Sequence, residues 1–293
     1  MADRKKIKNN PRQRPWLTAS LLGLLLIITL AAAFYFIFLR AGYTTGPVRP
    51  VYQYNQPHAS TRLIIPVSQK RPFIAKIAIV IDDIGNQKKL AEEIMALDLN
   101  LSFSILPYRP FSKILARKAV SLGRDVLLHL PMEPQDHKWN PGKGALLLSM
   151  SRADILTTLT GDLAQVPMAA GVNNHMGSAF TENRAAMGTV LTDLRQHKGL
   201  FWLDSMTTPR SVGFAMAREM GLVSARRDIF LDNIQKSTAI IKQLDKLVNL
   251  ARRQGHAIGI AHPHPETLKA LKRYQYTLRQ KVQLVGIKTI MLM

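Results

Sequence analysis

Two adjacent carboxylates, Asp82 and Asp83, follow a fully apolar run in the segment IAIVIDDIG. A charge at the end of a buried run is costly unless something compensates it. Neighbouring residues of a strand point to opposite sides, so one carboxylate can bind a metal ion while the other, turned by the following Ile84 and Gly85, accepts a proton. The pair also fits a helix N-cap followed by a turn acid, and both interpretations stay open on these residues alone.

Two histidines in later segments complete a possible set of metal ligands. His129 lies in DVLLHLPMEP, and His175 lies in GVNNHMGSAFT, where the flanking Asn and Gly residues suit an irregular functional loop. With Asp83 they make two imidazoles and one carboxylate, the ligand count of an open catalytic site for Zn²⁺ or a similar divalent cation. A hydrogen-bonded core histidine is the alternative for His129. The sequence predicts a divalent cation, Zn²⁺ first, provided that the fold brings the three residues together.

Two further histidines, His262 and His264, lie in AHPHPETL near the end of the sequence. An imidazole titrates near neutral pH, so His262 at a strand end can give a proton to a leaving amine or alcohol. His264 precedes Pro265, a residue typical of the first position of a helix, and a neutral N-terminal cap is its alternative role. Asp204, in LFWLDSMTT, is predicted to orient His262 or to contact the substrate.

These residues follow short apolar runs that alternate with longer amphipathic ones from Lys76 onward. Strands are predicted in KIAIVI, LSFSIL, DVLLHL, AAGV, LFWL, LVSA, HAIGIA and the final VQLVGIKTIMLM. Repeated strand and helix indicate a parallel sheet. We expect an α/β fold, a distorted (β/α) barrel of about seven parallel strands, with a doubly wound open sheet as the alternative. In such a barrel the polar residues after each strand share one rim.

Four regions are predicted along the chain: a basic cytoplasmic tail at 1–15, a transmembrane helix at 16–39, a linker at 40–75 and an α/β catalytic domain at 76–293. The run 16–39 has no charged residue and is long enough to span a bilayer. Lys and Arg residues before it place its N-terminus in the cytoplasm, so the domain is exported. A cleaved signal peptide, cut near the three alanines at 31–33, is the alternative.

Charge and composition limit the class of partner. The formal net charge is +21, but residues 1–76 hold twelve Lys or Arg against one acid, Asp3. The remaining charges are interspersed and form no stripe of basic and aromatic residues, so nucleic acid is not expected as a partner. Anionic lipid or an acidic glycan fits the positive charge better. The chain has no cysteine, which excludes disulfides and thiolate metal ligands.

The ordered segments IAIVIDDIGN, HLPMEP, GVNNHMGS, FWLDSMT and AHPHPETL resemble the motif series of the divergent polysaccharide deacetylase family, over roughly Lys76 to Met293. The resemblance implies a distorted barrel of about seven strands that removes acetyl groups from chitin-like or peptidoglycan sugars with a divalent metal. By motif, Asp82 corresponds to the catalytic base, Asp83, His129 and His175 to the metal ligands, and His262 to the late catalytic histidine. HLPMEP supplies one histidine where the broader superfamily supplies two.

From these residues and this resemblance we predict a membrane-anchored, metal-dependent carbohydrate deacetylase of the periplasm, which hydrolyses N- or O-acetyl groups on an envelope polysaccharide. Asn174, Asp204 and His264 are predicted to contact the glycan. The alternative is a non-catalytic envelope protein that uses the same barrel to bind glycan or to scaffold a complex. Metal-dependent hydrolysis of another ester or amide is a third interpretation.

Overall fold

The computed structural model describes residues 74–293, and a parallel sheet forms the centre of this region. The strands of this part are β1 (Lys76–Ile84), β2 (Ser102–Ile105), β3 (Val126–Met132), β4 (Gly171–Met176), β5 (Phe201–Asp204), β6 (Ser224–Arg226), β7 (Ile229–Phe230), β8 (His256–Ala261) and β9 (Gln283–Leu284). Their order is β6-β5-β4-β3-β2-β1-β8-β7, with β9 beside β1. Every pair of neighbouring strands is parallel.

Helices alternate with these strands, and all but the last of them cover the outside of the sheet. They are α1 (Lys88–Met95), α2 (Ser112–Ser121), α3 (Arg152–Gln165), α4 (Arg184–Gln196), α5 (Gly213–Glu219), α6 (Ser237–Gln254), α7 (Pro265–Lys281) and α8 (Ile287–Met291). Two of these helices begin at residues that favour a helix N-terminus. Ser151 and Asp154 form a reciprocal capping box at the start of α3, and Pro265 is the first residue of α7. The predicted parallel α/β architecture is confirmed.

A single run of chain joins the two ends of the sheet. β6 pairs with β5 and β7 pairs with β8. Between them, the Arg227 N–H donates to the Asp204 carbonyl and the Asp228 N–H donates to the Ile258 carbonyl, both at 2.9 Å. Strands β1 and β8 also lie side by side, as closure requires. The sheet therefore matches the predicted distorted barrel rather than an open doubly wound sheet.

The last predicted strand, VQLVGIKTIMLM, is wrong for most of its length. Only Gln283–Leu284 pairs as a strand, and Ile287–Met291 is a helix that begins after Gly286. Ile287 and Ile290 are both buried, a spacing that suits one face of a helix. They join the apolar cluster of the barrel interior, so α8 packs into the barrel with its apolar side.

The strand residues alternate between two apolar clusters, one inside the barrel and one under the helices. On β1, Ala78 and Val80 belong to the inner cluster, which includes no residue of α1 to α7. Ile77, Ile79 and Ile81 belong to the larger cluster, in which the sheet packs against those helices. This alternation decides which polar residues at the strand ends face the barrel axis.

Among residues 74–293, none of the helices combines the length and the apolar character that crossing a bilayer requires. The predicted transmembrane helix at 16–39, the tail at 1–15 and nearly all of the linker at 40–75 lie outside the described residues. Those assignments stay predictions.

One buried acid lies away from the strand ends. Asp162, on the inner face of α3, has no exposed surface, and neither of its carboxylate oxygens has a hydrogen-bond partner among residues 74–293. Burial raises the pKa of Asp162 to about 8, against a smaller lowering effect of the Tyr108 hydroxyl. The folded protein therefore keeps this proton at a pH where the unfolded chain loses it.

This difference predicts that Asp162→Asn stabilises the protein as the pH rises. Below pH 4 both states hold the proton and the variant gains little. Between about pH 4 and pH 8 the wild type loses stability progressively, because only its unfolded state ionises. We expect the free energy of unfolding to rise by about 2 kcal/mol or more at pH 8 in the variant. Thermal melts at pH 5 and pH 8 measure it, with exposed Asp136→Asn as the control. Equal gains at both pH values would contradict the assignment.

Candidate metal centre

The inward-facing residues become polar at the carboxyl ends of the strands. Inward-facing positions alternate along each strand. At the carboxyl ends these positions are occupied by Asp82 on β1, His129 on β3, Asn173 and His175 on β4, and His262 directly after β8. The register aligns His129 with Asn173, so His175 lies one inward position further along the neighbouring strand. Residues far apart in sequence therefore meet on the predicted rim.

Asp83 reaches the same rim through an unusual backbone conformation. Its φ angle is 56°, in the left-handed region that non-glycine residues rarely adopt. The pairing of β1 with β2 shifts register between Ile81 and Ile84, so the strand is irregular at this point. The next turn uses Gly85 at φ 145°, where an added Cβ would lie 2.8 Å from the Arg109 side chain. This local strain turns the Asp83 carboxylate toward the two histidines, as functional sites often require.

The predicted metal ligands Asp83, His129 and His175 come together. Asp83 Oδ1 lies 2.8 Å from His175 Nδ1 and 3.1 Å from His129 Nε2, and the two nitrogens are 3.2 Å apart. Three ligands of a tetrahedral zinc ion, each about 2.0–2.1 Å from it, are separated by about 3.3 Å. The triangle is therefore close to the size that a divalent cation requires.

Asn173 connects this triangle to its neighbours. Its Nδ2 donates to Asp82 Oδ1 and to Ser205 Oγ, both at 3.0 Å. Its Oδ1 accepts from the Ser104 hydroxyl and lies 3.1 Å from His129 Nδ1. Because an amide oxygen only accepts, His129 Nδ1 carries the proton, and its Nε2 lone pair is left for a metal.

The charge of the Asp83 carboxylate also suits a cation. Burial raises the pKa of the Asp83 carboxyl, but the His129 and His175 imidazoles outweigh burial and hold that pKa well below its usual range. Burial lowers the pKa of His175, in spite of Asp83. Asp83 Oδ1 is buried and has no hydrogen bond of correct geometry among residues 74–293. An anionic oxygen without a hydrogen-bond donor, beside two imidazole nitrogens, fits a bound divalent metal.

Asp82 lies beside the triangle rather than in it. It is 2% exposed, and its Oδ2 is 3.6 Å from His129 Nε2. Burial raises the pKa of the Asp82 carboxyl, although the nearby His129 and His262 oppose this effect. A carboxylate with a raised pKa is a stronger proton acceptor, as a general base requires.

His262 is oriented by Asp232, a residue that the sequence analysis missed. His262 Nδ1 lies 3.0 Å from Asp232 Oδ1, and Asp232 Oδ2 accepts from the His262 N–H at 2.6 Å and from Thr267 Oγ1 at 2.8 Å. Burial lowers the pKa of His262, but Asp232 outweighs burial and raises that pKa to about 9. His262 is therefore protonated at neutral pH, the state that a general acid needs.

The three predicted glycan contacts lie at the edge of this site. Asn174 and Asp204 each follow an inward-facing residue of their strand, so their buried side chains point away from the barrel axis. The Asn174 amide donates to the Met176 carbonyl at 2.8 Å, while Asp204 accepts from the backbone N–H groups of Met206 and Phe214, each at 2.9 Å. Both stabilise rim loops, and the predicted orientation of His262 by Asp204 is wrong. His264 is partly exposed, with Nε2 3.0 Å from Gln235 Nε2. Glycan contact by these residues stays a prediction.

Comparisons with known proteins place this geometry in a family. The sequence profile of the family described as "Divergent polysaccharide deacetylase" matches residues 79–291. An uncharacterized protein of Haemophilus influenzae is 38% identical over 213 residues, covering 73% of this chain and 75% of that protein. The uncharacterized protein YibQ of Escherichia coli is 35% identical over 221 residues, covering 75% and 69%.

A solved structure shows the same fold. The uncharacterized protein ATU2773 of Agrobacterium tumefaciens superposes with a TM-score of 0.71 at 24% sequence identity, over 74% of this chain and 89% of that one. The family match spans well over half of the sequence and includes Asp83, His129 and His175. This chain therefore belongs to the divergent polysaccharide deacetylase family.

Proposed function

We propose that the protein is a metal-dependent deacetylase that hydrolyses N- or O-acetyl groups of an envelope polysaccharide. The observation that carries the proposal is the triangle of Asp83, His129 and His175, on the rim that also holds Asp82 and His262. The Asp83 carboxylate oxygen in this triangle has no hydrogen bond within residues 74–293. Family membership supports a hydrolase and a polysaccharide substrate. Zn²⁺ is the cation that we propose, because the set of two imidazoles and one carboxylate is typical of open zinc sites.

The polar residues of the rim have separate roles in the hydrolysis of the acetyl group. When bound at the triangle, a divalent cation supplies a Lewis acid for the acetyl carbonyl oxygen. Asp82 accepts a proton from the attacking water as the oxygen–carbon bond forms. His262, held by Asp232, then donates its proton to the leaving nitrogen or oxygen as the bond to the acyl carbon breaks. Acetate and the free amine or alcohol are the products.

We further propose that the domain acts outside the cytoplasm while attached to the membrane. The uncharged run at 16–39 is long enough to cross a bilayer, and basic residues precede it. An anchored domain in the periplasm would reach glycans of the cell envelope. The positive net charge of +21 favours an anionic surface near the protein.

Metal analysis of the purified full chain, followed by an acetate-release assay, tests this function. We expect one divalent cation per chain, no acetate release after chelation, and recovery on adding back Zn²⁺. The substrates are acetylated glycan oligomers, including N-acetylglucosamine polymers and O-acetylated glycans. A chain that binds metal and retains these glycans, but releases no acetate, would instead be the non-catalytic binder. Release from simple esters alone would indicate a different substrate class.

A further inference from the structure

Arg227 lies in the segment that closes the barrel and contacts a loop of the rim. Its Nε donates to the Ser205 carbonyl and its Nη2 donates to the Met206 carbonyl, both at 2.7 Å. Short charge-assisted bonds from one planar guanidinium to two consecutive carbonyls fix the position of that loop. Met206 has a φ of 49°, so the loop is held in a conformation that a free chain rarely adopts.

The same loop supports the base and the metal ligands. Ser205 Oγ accepts from Asn173 Nδ2 at 3.0 Å, and the Ser205 N–H donates to Asn174 Oδ1 at 2.9 Å. Asn173 in turn donates to Asp82 and fixes the tautomer of His129. A shift of Ser205 would therefore reach the Asp82 carboxylate through a single intervening side chain.

On its other side, Arg227 reaches the general acid through an aromatic ring. The guanidinium carbon lies 4.7 Å from the centroid of the Phe230 ring, a cation–π distance. The Phe230 ring stacks on the His262 imidazole, with centroids 5.0 Å apart and planes inclined by 23°. Asp232 fixes one edge of that imidazole, while Phe230 fixes its plane.

We propose that Arg227 is a positioning residue that fixes the general base and the general acid relative to each other. Through Ser205 and Asn173 it sets the Asp82 carboxylate, and through Phe230 it sets the plane of the His262 ring. The proposal rests on the proposed function for its kinetic part. Lysine cannot replace arginine here, because one ammonium cannot bond two consecutive carbonyls and lie over the ring with the same fork geometry.

Kinetics and metal content of Arg227→Lys, Arg227→Gln and Phe230→Leu test the proposal in the full chain. We expect all three variants to bind one metal, with little change in KM and a kcat lowered about 10- to 100-fold, as for other residues that orient a site. Arg218→Gln is the matched control, because Arg218 also lies over a phenylalanine, Phe214, but at 5.7 Å and away from the site. It should keep the wild-type kcat.

Histidine-selective NMR supplies a readout that needs no substrate. The His262 signals, identified from their loss in His262→Gln, should move downfield in Phe230→Leu and Arg227→Gln, since the shielding ring is removed or displaced. They should stay in place in Arg218→Gln. Unchanged His262 signals and unchanged kcat in Arg227→Gln would overturn the proposal, as would loss of metal in the Arg227 variants. If the wild type hydrolyses no acetylated glycan, the proposed function fails, while the NMR result still decides the positioning role.

Discussion

Asp83→Ala is expected to lose the bound metal and to lower kcat/KM for acetate release by about 10³-fold or more. Asp83 supplies the only carboxylate of the triangle, and its Oδ1 lies within 3.1 Å of both imidazole nitrogens. Without it, only the two imidazoles remain, which bind a divalent cation far more weakly than a set that includes an anion. The expected measurement is less than one metal per chain after dialysis, together with loss of turnover.

Asp136→Ala provides the comparison for this variant. Asp136 lies on the exposed loop that follows β3, carries the same charge and has no contact with the triangle. It should keep both metal and turnover, so an effect of Asp83→Ala cannot be ascribed to lost negative charge near the rim. Full metal content and normal acetate release in Asp83→Ala would show that the cation does not sit at this triangle.

Most of the site could be predicted from the sequence, because the alternation of inward and outward side chains along a strand is a local property. Asp82, His129 and His262 all continue inward series of apolar residues, and those series are visible as short β-rich runs. Polar residues at the carboxyl ends of such runs predict one rim whenever the strands are parallel. The meeting of His129 and His175 also depended on the register between β3 and β4, which is a long-range pairing that the local pattern does not specify.

Asp232 was missed because its strand is too short to recognise. β7 has two residues, Ile229 and Phe230, and a run of that length has no measurable period. Asp204, at the end of a clear strand, was therefore given the role of orienting His262. Its opposite parity directs it to the Ser211 hydroxyl and the Phe214 N–H instead. Asn173 was similarly given no role, because this inward-facing amide gains its importance only through hydrogen bonds with residues of four other strand ends.

The strained backbone of Asp83 also could not be read from the sequence. Two adjacent acids on a regular strand would point to opposite sides, and only one would face the barrel axis. The left-handed φ of Asp83 and the register shift after Ile81 bring both to the same site. Gly85 was a visible sign of a turn, but the sequence does not say which residue before it takes the strain.

The second large effect is expected from a substitution of Asp82, the other acid of the pair, and it distinguishes the roles of the two carboxylates. Asp82→Asn is expected to retain one metal per chain and to lower kcat by about 10²- to 10⁴-fold, the usual contribution of a general base. Asparagine keeps the shape of the side chain and can still accept from Asn173 Nδ2 through its own Oδ1. It cannot accept a proton from water, because an amide has no basic lone pair at neutral pH.

Stability distinguishes this loss from misfolding. The Asp82 side chain is almost fully buried, and burial raises its pKa, so a neutral amide should make the folded state at least as stable as in the wild type. Asp83→Asn is the matched variant, since it makes the same chemical change one residue later and should lose the metal instead. If Asp82→Asn lost metal, or if it turned over acetylated glycan at the wild-type rate, Asp82 would not be the base. Either result would require a different assignment of the rim.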